Sequence, residues 1–517
     1  MKRRLARALP PLRLALPAAV SGVLLTLCFP PFSVWPLVFV ALAPMFAGLV
    51  LVRPGRRDSF KALFLFGLFY YGTLMWWLVF LLPSAGATMP WILVPALLIL
   101  SSYLALYPAL GFVLVAAVTR YRLLPFAVAA PAVWVLADLA RSQGELSFSW
   151  GALGYALSDT PALIQSASLF GMPGLTFLAA LTNVLVALAF VLRRSPLRWV
   201  SLAAAVFVVA GMWLHGQGPL ERWTSARGEQ ATVRTAVVQP NIDLAIKWKP
   251  EFKDSTLNVI ENLIRESVAL DAKFIVFPET SAPVYIDGRN RSFKIRLRAL
   301  AHELDSHVYL GFLNHRYTPD GELDIFNSSG VFSPDGVIDK YNKNHLLPFG
   351  EQLPLSWKFR WIRNIDFGQS NFMRGDPHPP IAAAGLKFTP LICFESVFPY
   401  LCRRGVRQGS QLLVNITNDG WFGDTPGPFQ HAQMSILRAV EFRRYLLRSA
   451  NSGVSMIVDP AGRVVTSLRL YQKGILTFNV PPLDGETLYC RYGDWLLFVW
   501  CVLLVVAAAL ARRRLKG

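Results

Sequence analysis

The chain has 517 residues, 54% of them hydrophobic, with a mean hydropathy of +0.41 and a formal net charge of +19. That is too apolar for a soluble enzyme and too charged through its middle for a bundle made only of membrane helices. Much of the positive charge sits in short clusters between apolar runs, so it calls for no nucleic-acid partner.

In chain order, apolar runs fall near 10–28, 31–52, 60–82, 90–118, 121–141, 165–193 and 197–216, and an eighth near 493–511. Each approaches the roughly 20 residues that a helix needs to cross about 30 Å of hydrocarbon. The fourth is long, and its Pro95 and Pro108 allow a bend. The first has a basic start but no small-residue cleavage site at Leu27-Cys28-Phe29-Pro30, which predicts an uncleaved anchor.

Lysine and arginine cluster at Lys2-Arg3-Arg4, Arg53 to Lys61, Arg120 to Arg122, Arg193 to Arg198 and Arg512 to Lys516. These clusters alternate with cation-poor loops at Pro83 to Pro90 and Ser142 to Pro161, a pattern that predicts both termini in the cytoplasm. The expected organisation is therefore a membrane domain with seven helices at 1–216, an extracytoplasmic domain at 217–488, and an eighth helix with a basic tail at 489–517.

Between about 232 and 480 short β-rich runs alternate with amphipathic helices, the mark of a layered α/β domain. Strands are expected at Val233 to Gln239, Phe274 to Phe277, Val308 to Phe312, Phe388 to Phe394 and Leu412 to Ile416, with hairpins across 328–341 and 454–467. Helices are expected at Ser255 to Leu270, where Leu257, Ile260, Leu263, Ile264 and Val268 share one face, at about 292–304, and at Met434 to Leu447.

Three of these strands end in chemistry. Phe277-Pro278-Glu279-Thr280 offers a carboxylate, Tyr341-Asn342-Lys343-Asn344-His345 an amine, and Leu391-Ile392-Cys393-Phe394-Glu395 a thiol. A thiol needs a base in reach and a cation nearby to become a nucleophile. Glu279 is the candidate base, and burial at a strand end would raise its pKa toward the useful range. Lys343, with the backbone N–H after Cys393, is placed to meet an oxyanion, and Glu351 and Glu395 are expected to orient that lysine and keep it charged.

Five cysteines do not make a disulfide framework, although a Cys393–Cys402 bridge would compete with a catalytic role for Cys393. Weaker candidates for lining a substrate channel are Trp248, Phe394, Trp421 and His431. The run Leu355 to Ile362 alternates aromatic and basic residues, and its Trp357 and Trp361 suit a flap at the lipid headgroup boundary. Asn327-Ser328-Ser329 and Asn415-Ile416-Thr417 formally match glycosylation sites but carry little weight here. No metal-ligand spacing or phosphate-binding glycine loop is present, so no metal or nucleotide cofactor is indicated.

The Glu279, Lys343 and Cys393 segments resemble, in type, order and spacing, those of the carbon–nitrogen hydrolase (nitrilase) superfamily. That resemblance implies an αββα sandwich. The same domain set before a last membrane span, with the strings Tyr341 to Glu351 and Asn418-Asp419-Gly420-Trp421-Phe422-Gly423, resembles the bacterial apolipoprotein N-acyltransferase family over essentially the whole chain. Phe394 stands where some members carry Tyr.

This second resemblance implies a multi-pass enzyme of the inner membrane with a periplasmic catalytic domain. Its acyl donor would be a membrane phospholipid, its intermediate a Cys393 thioester, and its acceptor the N-terminal amine of a diacylated apolipoprotein. A membrane-tethered amidase acting on small amides and a catalytically silent binding scaffold are the alternatives.

Overall fold

The structure, a computed structural model, describes residues 9–81, 93–225, 231–287, 291–319, 321–356, 358–363, 365 and 370–514. The chain divides into two compact units. One is formed mainly by residues up to Arg222 and from Tyr492 onward, and the other by Trp223–Arg491.

The first unit is helical. Its main helices are Leu12–Thr26, Ala43–Val52, Arg56–Leu74, Val94–Thr119, Leu123–Arg141, Ala167–Val191, Leu197–Ser225 and Trp495–Arg514. Six apolar helical segments among the described residues, taking Trp35–Val52 as one, are long and apolar enough to cross a membrane. Leu12–Thr26 has only 15 residues. Arg56–Leu74 opens with Arg56, Arg57 and Asp58, which shortens its apolar part.

Where helical backbone breaks inside this unit, side chains satisfy it, as an apolar surrounding demands. The segment Trp35–Phe39 is a tight 3₁₀ turn ahead of Ala43–Val52. Asn183 of the helix Ala167–Val191 closes that junction: its Oδ1 accepts from Leu42 N at 2.7 Å and its Nδ2 donates to Val38 O at 2.6 Å. Arg141, buried at a helix end, is paired with Asp138 at 2.8 Å and donates to the carbonyls of Phe148 and Trp150. Both charges therefore have structural partners.

The second unit is a sandwich of two sheets. The strands are β1 Val233–Gln239, β2 Phe274–Val276, β3 Ala282–Tyr285, β4 His307–Tyr317, β5 Leu323–Phe332, β6 Ile338–Asn342, β7 Ile381–Ala383, β8 Leu386–Ile392, β9 Leu412–Thr417, β10 Tyr445–Ala450, β11 Ser455–Val458, β12 Val464–Leu468 and β13 Gly474–Val480. One sheet runs β13-β1-β2-β4-β5-β6 with β3 beside β4, and the other runs β12-β11-β10-β9-β8-β7.

Period-two alternation builds the layers, because successive side chains on a strand point to opposite faces. Val237, Phe274, Val276 and Tyr309 face inward and meet Phe388, Ile392, Leu412, Val414, Ile416 and Leu447 of the opposite sheet. Their neighbours Ala236, Val238, Ile275, Val308 and Leu310 face outward and pack under the helices Lys253–Ala269 and Arg291–Glu303. The helices Pro399–Arg407 and Gly427–Phe442 belong to the second half of the unit. Each fully buried aliphatic or aromatic side chain contributes about 1.5–3 kcal/mol, so the interface holds the strand ends rigidly.

One expected element is corrected. The helix read at 434–447 runs from Gly427 to Phe442, and Tyr445–Ala450 is instead the fully buried strand β10. Pro428 in the first turn presets the helix start, and Arg443 in the left-handed region (φ 52°) ends it.

Candidate active site

Glu279, Lys343 and Cys393 each leave the end of a strand, two from the first sheet and one from the second. β2 stops at Val276, and Phe277 and Pro278 carry the chain to a buried Glu279. Beneath this turn β4 has Gly311, where a Cβ would stand 2.3 Å from Thr280 N and 2.8 Å from Glu279 Cα. Only glycine lets the backbones approach so closely.

The Glu279 carboxylate is held on both oxygens: Oε1 accepts from Asn327 Nδ2 at 2.7 Å and Oε2 from the backbone N–H of Asn418 at 2.9 Å. Lys343 follows β6 and is almost fully buried, with Nζ 3.7 Å from Glu279 and 2.8 Å from Glu351. Asn327 Nδ2 donates to Glu351 as well, at 2.9 Å, so one amide bridges the two carboxylates on either side of the lysine.

Burial raises the pKa of Glu279, against the pull of Lys343. Burial alone would push Lys343 down, but Glu351 and Glu279 hold it above its ordinary value, so the ammonium stays charged. Burial and the nearby Glu279 charge push the Cys393 thiol up. Cys393 therefore rests as a thiol, with the carboxylate of raised basicity close by.

Cys393 follows β8 directly and sits at φ 52°, in the left-handed region that non-glycine residues rarely occupy. A 3₁₀ turn, Cys393–Val397, continues from it. The rival Cys393–Cys402 bridge does not form: both are free thiols.

Residues 21–185 match the apolipoprotein N-acyltransferase N-terminal domain, and residues 234–486 match the carbon-nitrogen hydrolase family. An apolipoprotein N-acyltransferase of Geobacter metallireducens is 37% identical, over 98% of this chain and 96% of the relative. The chain belongs to the apolipoprotein N-acyltransferase family. A second member, from Nitrosomonas europaea, is 34% identical over 96% of this chain and 95% of its own. Among solved structures, an amidase from Nesterenkonia sp. covers 51% of this chain and 94% of its own at 20% identity, with a TM-score of 0.38. The carbon-nitrogen hydrolase match makes the C-terminal part nitrilase-like, and the N-terminal part carries several apolar helices.

Relative to the expectations for this N-acyltransferase family member, Glu279, Lys343, Glu351 and Cys393 lie in one cluster. The charge of Lys343 acts on Glu395, but the hydrogen bonds of Glu395 go elsewhere. It does not hydrogen-bond Lys343; its Oε1 accepts from Tyr341 OH and the backbone N–H groups of Asn344 and His345, and its Oε2 from Ile392 N. Two residues on from Cys393, it pins the strand carrying the thiol to the loop after the lysine. Burial raises it to about 7, against those donors.

Phe394 and His431 are buried side chains. Phe394 is buried edge-on against Phe398, and His431 is buried beside Asp419 at 2.9 Å. Trp248, Trp361 and Trp421 are exposed, while Trp357 lies outside the described residues.

Three residues were missed. Asn327, read only as a formal glycosylation match, is the buried bridge between the carboxylates. Lys247 is fully buried with Nζ 3.4 Å from Glu279 O and 3.2 Å from Thr280 Oγ1, and burial lowers its pKa to about 8. Arg448 reaches Asp419 at 2.8 Å, and its signal was available: it is the one charged residue in the otherwise apolar and small run Tyr445–Ala450.

Proposed function

We propose that this enzyme takes an acyl chain from a membrane phospholipid onto Cys393 and passes it to the N-terminal amine of a diacylglyceryl-cysteine on an apolipoprotein. The observation that carries the reading is the placement of Lys343 between Glu279 and Glu351, close to the strand end that holds Cys393. A buried ammonium held by two carboxylates is a preorganised partner for a developing oxyanion.

In the first half, sulfur attacks the ester carbonyl as Glu279 takes the thiol proton. Lys343 and the backbone N–H after Cys393 meet the oxyanion. Collapse breaks the C–O bond, and the leaving glycerol oxygen of the lysophospholipid takes the proton from Glu279. In the second half, the acceptor ammonium first loses a proton to solvent, then attacks the thioester and gives a second proton to Glu279. The C–S bond breaks, and the thiolate recovers that proton.

Both substrates are lipid-anchored, which gives the apolar helices a purpose that a hydrolase of small amides would lack. The alternating basic clusters support eight crossings, cytoplasmic termini and a catalytic domain, at about 217–488, on the periplasmic side of a bacterial inner membrane. Glu279 is the base, Lys343 the oxyanion partner and Cys393 the nucleophile.

The test is intact mass of the detergent-solubilised protein after incubation with phospholipid, before and after hydroxylamine, beside Cys393→Ser. A hydroxylamine-labile adduct of one acyl chain, absent from the variant, is expected. Equal adduct in the variant, or none in either protein, would overturn the reading.

A further inference from the structure

A buried polar lattice stands behind Cys393, and none of the catalytic roles above uses it. Its members come from the turn after β8, from β9, β10, the turn after β9 and the helix Gly427–Phe442, and all are fully or nearly fully buried. Register brings them together: Arg448 on β10 is paired with Asn415 on β9, which is paired with Leu391 on β8. In parallel strands, paired residues share a face, so Arg448 and Asn415 stand side by side beneath the end of β8.

The lattice converges on one carbonyl. Cys393 O accepts from Ser396 Oγ at 3.1 Å and from Asn415 Nδ2 at 3.3 Å, and His431 Nε2 lies 3.4 Å from Ser396 Oγ. Behind these donors Arg448 forks: it donates to Asn415 Oδ1 and, at 2.8 Å, to Asp419 Oδ2, with His431 Nδ1 3.1 Å away. Asp419 Oδ1 in turn lies 2.9 Å from His431 Nδ1 and accepts from Thr417 Oγ1 at 2.8 Å. Gly453 leaves room for Asp419, since a Cβ there would stand 2.6 Å from Asp419 Oδ2.

The Cys393 thiol, one Asp419 oxygen and one His431 nitrogen lie within 4.8 Å of one another, a donor set of the kind zinc takes. Arg448 already supplies the positive charge at that point. Despite burial it holds Asp419 at about 2, so the pair is charged. The arrangement reads as a brace rather than a metal site.

A brace has something to resist. The left-handed backbone at Cys393 is strained for a residue with a Cβ, and persists only where its surroundings enforce it. We infer that Arg448, Asp419, Asn415 and His431 are positioning residues that hold the Cys393 carbonyl, and so hold the thiol in the strained orientation from which it attacks. This inference rests on Cys393 being the acylated residue.

The test measures single-turnover acylation of the full-length protein in phospholipid-supplemented detergent, per folded molecule, with the iodoacetamide alkylation rate of Cys393 as a second readout. Arg448→Gln is expected to slow acylation about a hundredfold through misplacement of the thiol, with the phospholipid KM within twofold of the native value. Arg448→Lys returns the charge beside Asp419 but cannot fork to Asn415 as well. It is expected to recover melting temperature without recovering rate.

Ser396→Ala removes one donor to the Cys393 carbonyl and is expected to slow acylation about fivefold, the worth of one ordinary hydrogen bond. It decides the matter if Arg448→Gln does not fold. Native rates in the folded Arg448→Gln and in Ser396→Ala, or full rate in Arg448→Lys, would overturn the brace. A Cys393→Ala control separates the two claims: an adduct persisting there defeats the thioester reading itself.

Discussion

Replacing Glu351 with Gln keeps the shape of the lysine cage and removes one of its two charges. Glu351 and Glu279 share the Asn327 nitrogen at 2.9 and 2.7 Å, so their bonded oxygens are at most about 5.6 Å apart. At an effective dielectric of about 20, two like charges at that separation repel by about 3 kcal/mol. Lys343 lies against both and shields part of this. Removing a negative neighbour favours the ionised form of Glu279, so its pKa falls. The acid limb of the pH–rate profile for Cys393 acylation then moves to lower pH. Lys343, released from the 2.8 Å pair, turns toward Glu279, and the weaker base and displaced cation together lower the plateau rate about a hundredfold. Single-turnover acylation followed by intact mass from pH 5 to pH 9 measures both. An acid limb that stays put or moves upward would refute the electrostatic argument, whatever the plateau does.

Two further predictions use groups around the same site. Gly311→Ala drives a methyl to 2.3 Å from Thr280 N; since a backbone atom cannot swing aside, the Glu279 turn must shift, costing about 1–3 kcal/mol and at least tenfold in acylation. A melting temperature and rate equal to the native protein's would show that the turn yields freely. Lys247, at about 8 instead of 10.5, binds fewer protons folded than unfolded between those pH values. Its stability penalty is therefore full below pH 8 and is relieved as pH rises toward 10.5, by about 3 kcal/mol at the limit. Thermal melting across pH 7.5 to 10.5 is expected to show this gain in the native protein and to lack it in Lys247→Met; parallel curves would contradict it.

How much of this was legible in the sequence depended on whether a signal was local. Strand-ending motifs are local: an apolar run that stops at Glu279, Lys343 or Cys393 advertises its own polar terminus, and the sandwich brings those ends together because β2, β6 and β8 carry them on the two packed sheets. The helix misplaced at 434–447 failed for the opposite reason. Tyr445–Ala450 has a helix-compatible composition, and only its pairing between β9 and β11 makes it a strand. Asn327 and Arg448 were opaque in the same way, since a lone polar residue in a buried strand has no meaning until the register names its neighbour. Glu395 was found by its position yet assigned to Lys343 because sequence spacing gives proximity without direction. The backbone N–H groups of Ile392, Asn344 and His345, which it accepts from, carry no trace in side-chain identity. What pattern reading recovers at this site are the polar groups at strand ends, while the buried partners behind them are fixed by strand register and become visible only in three dimensions.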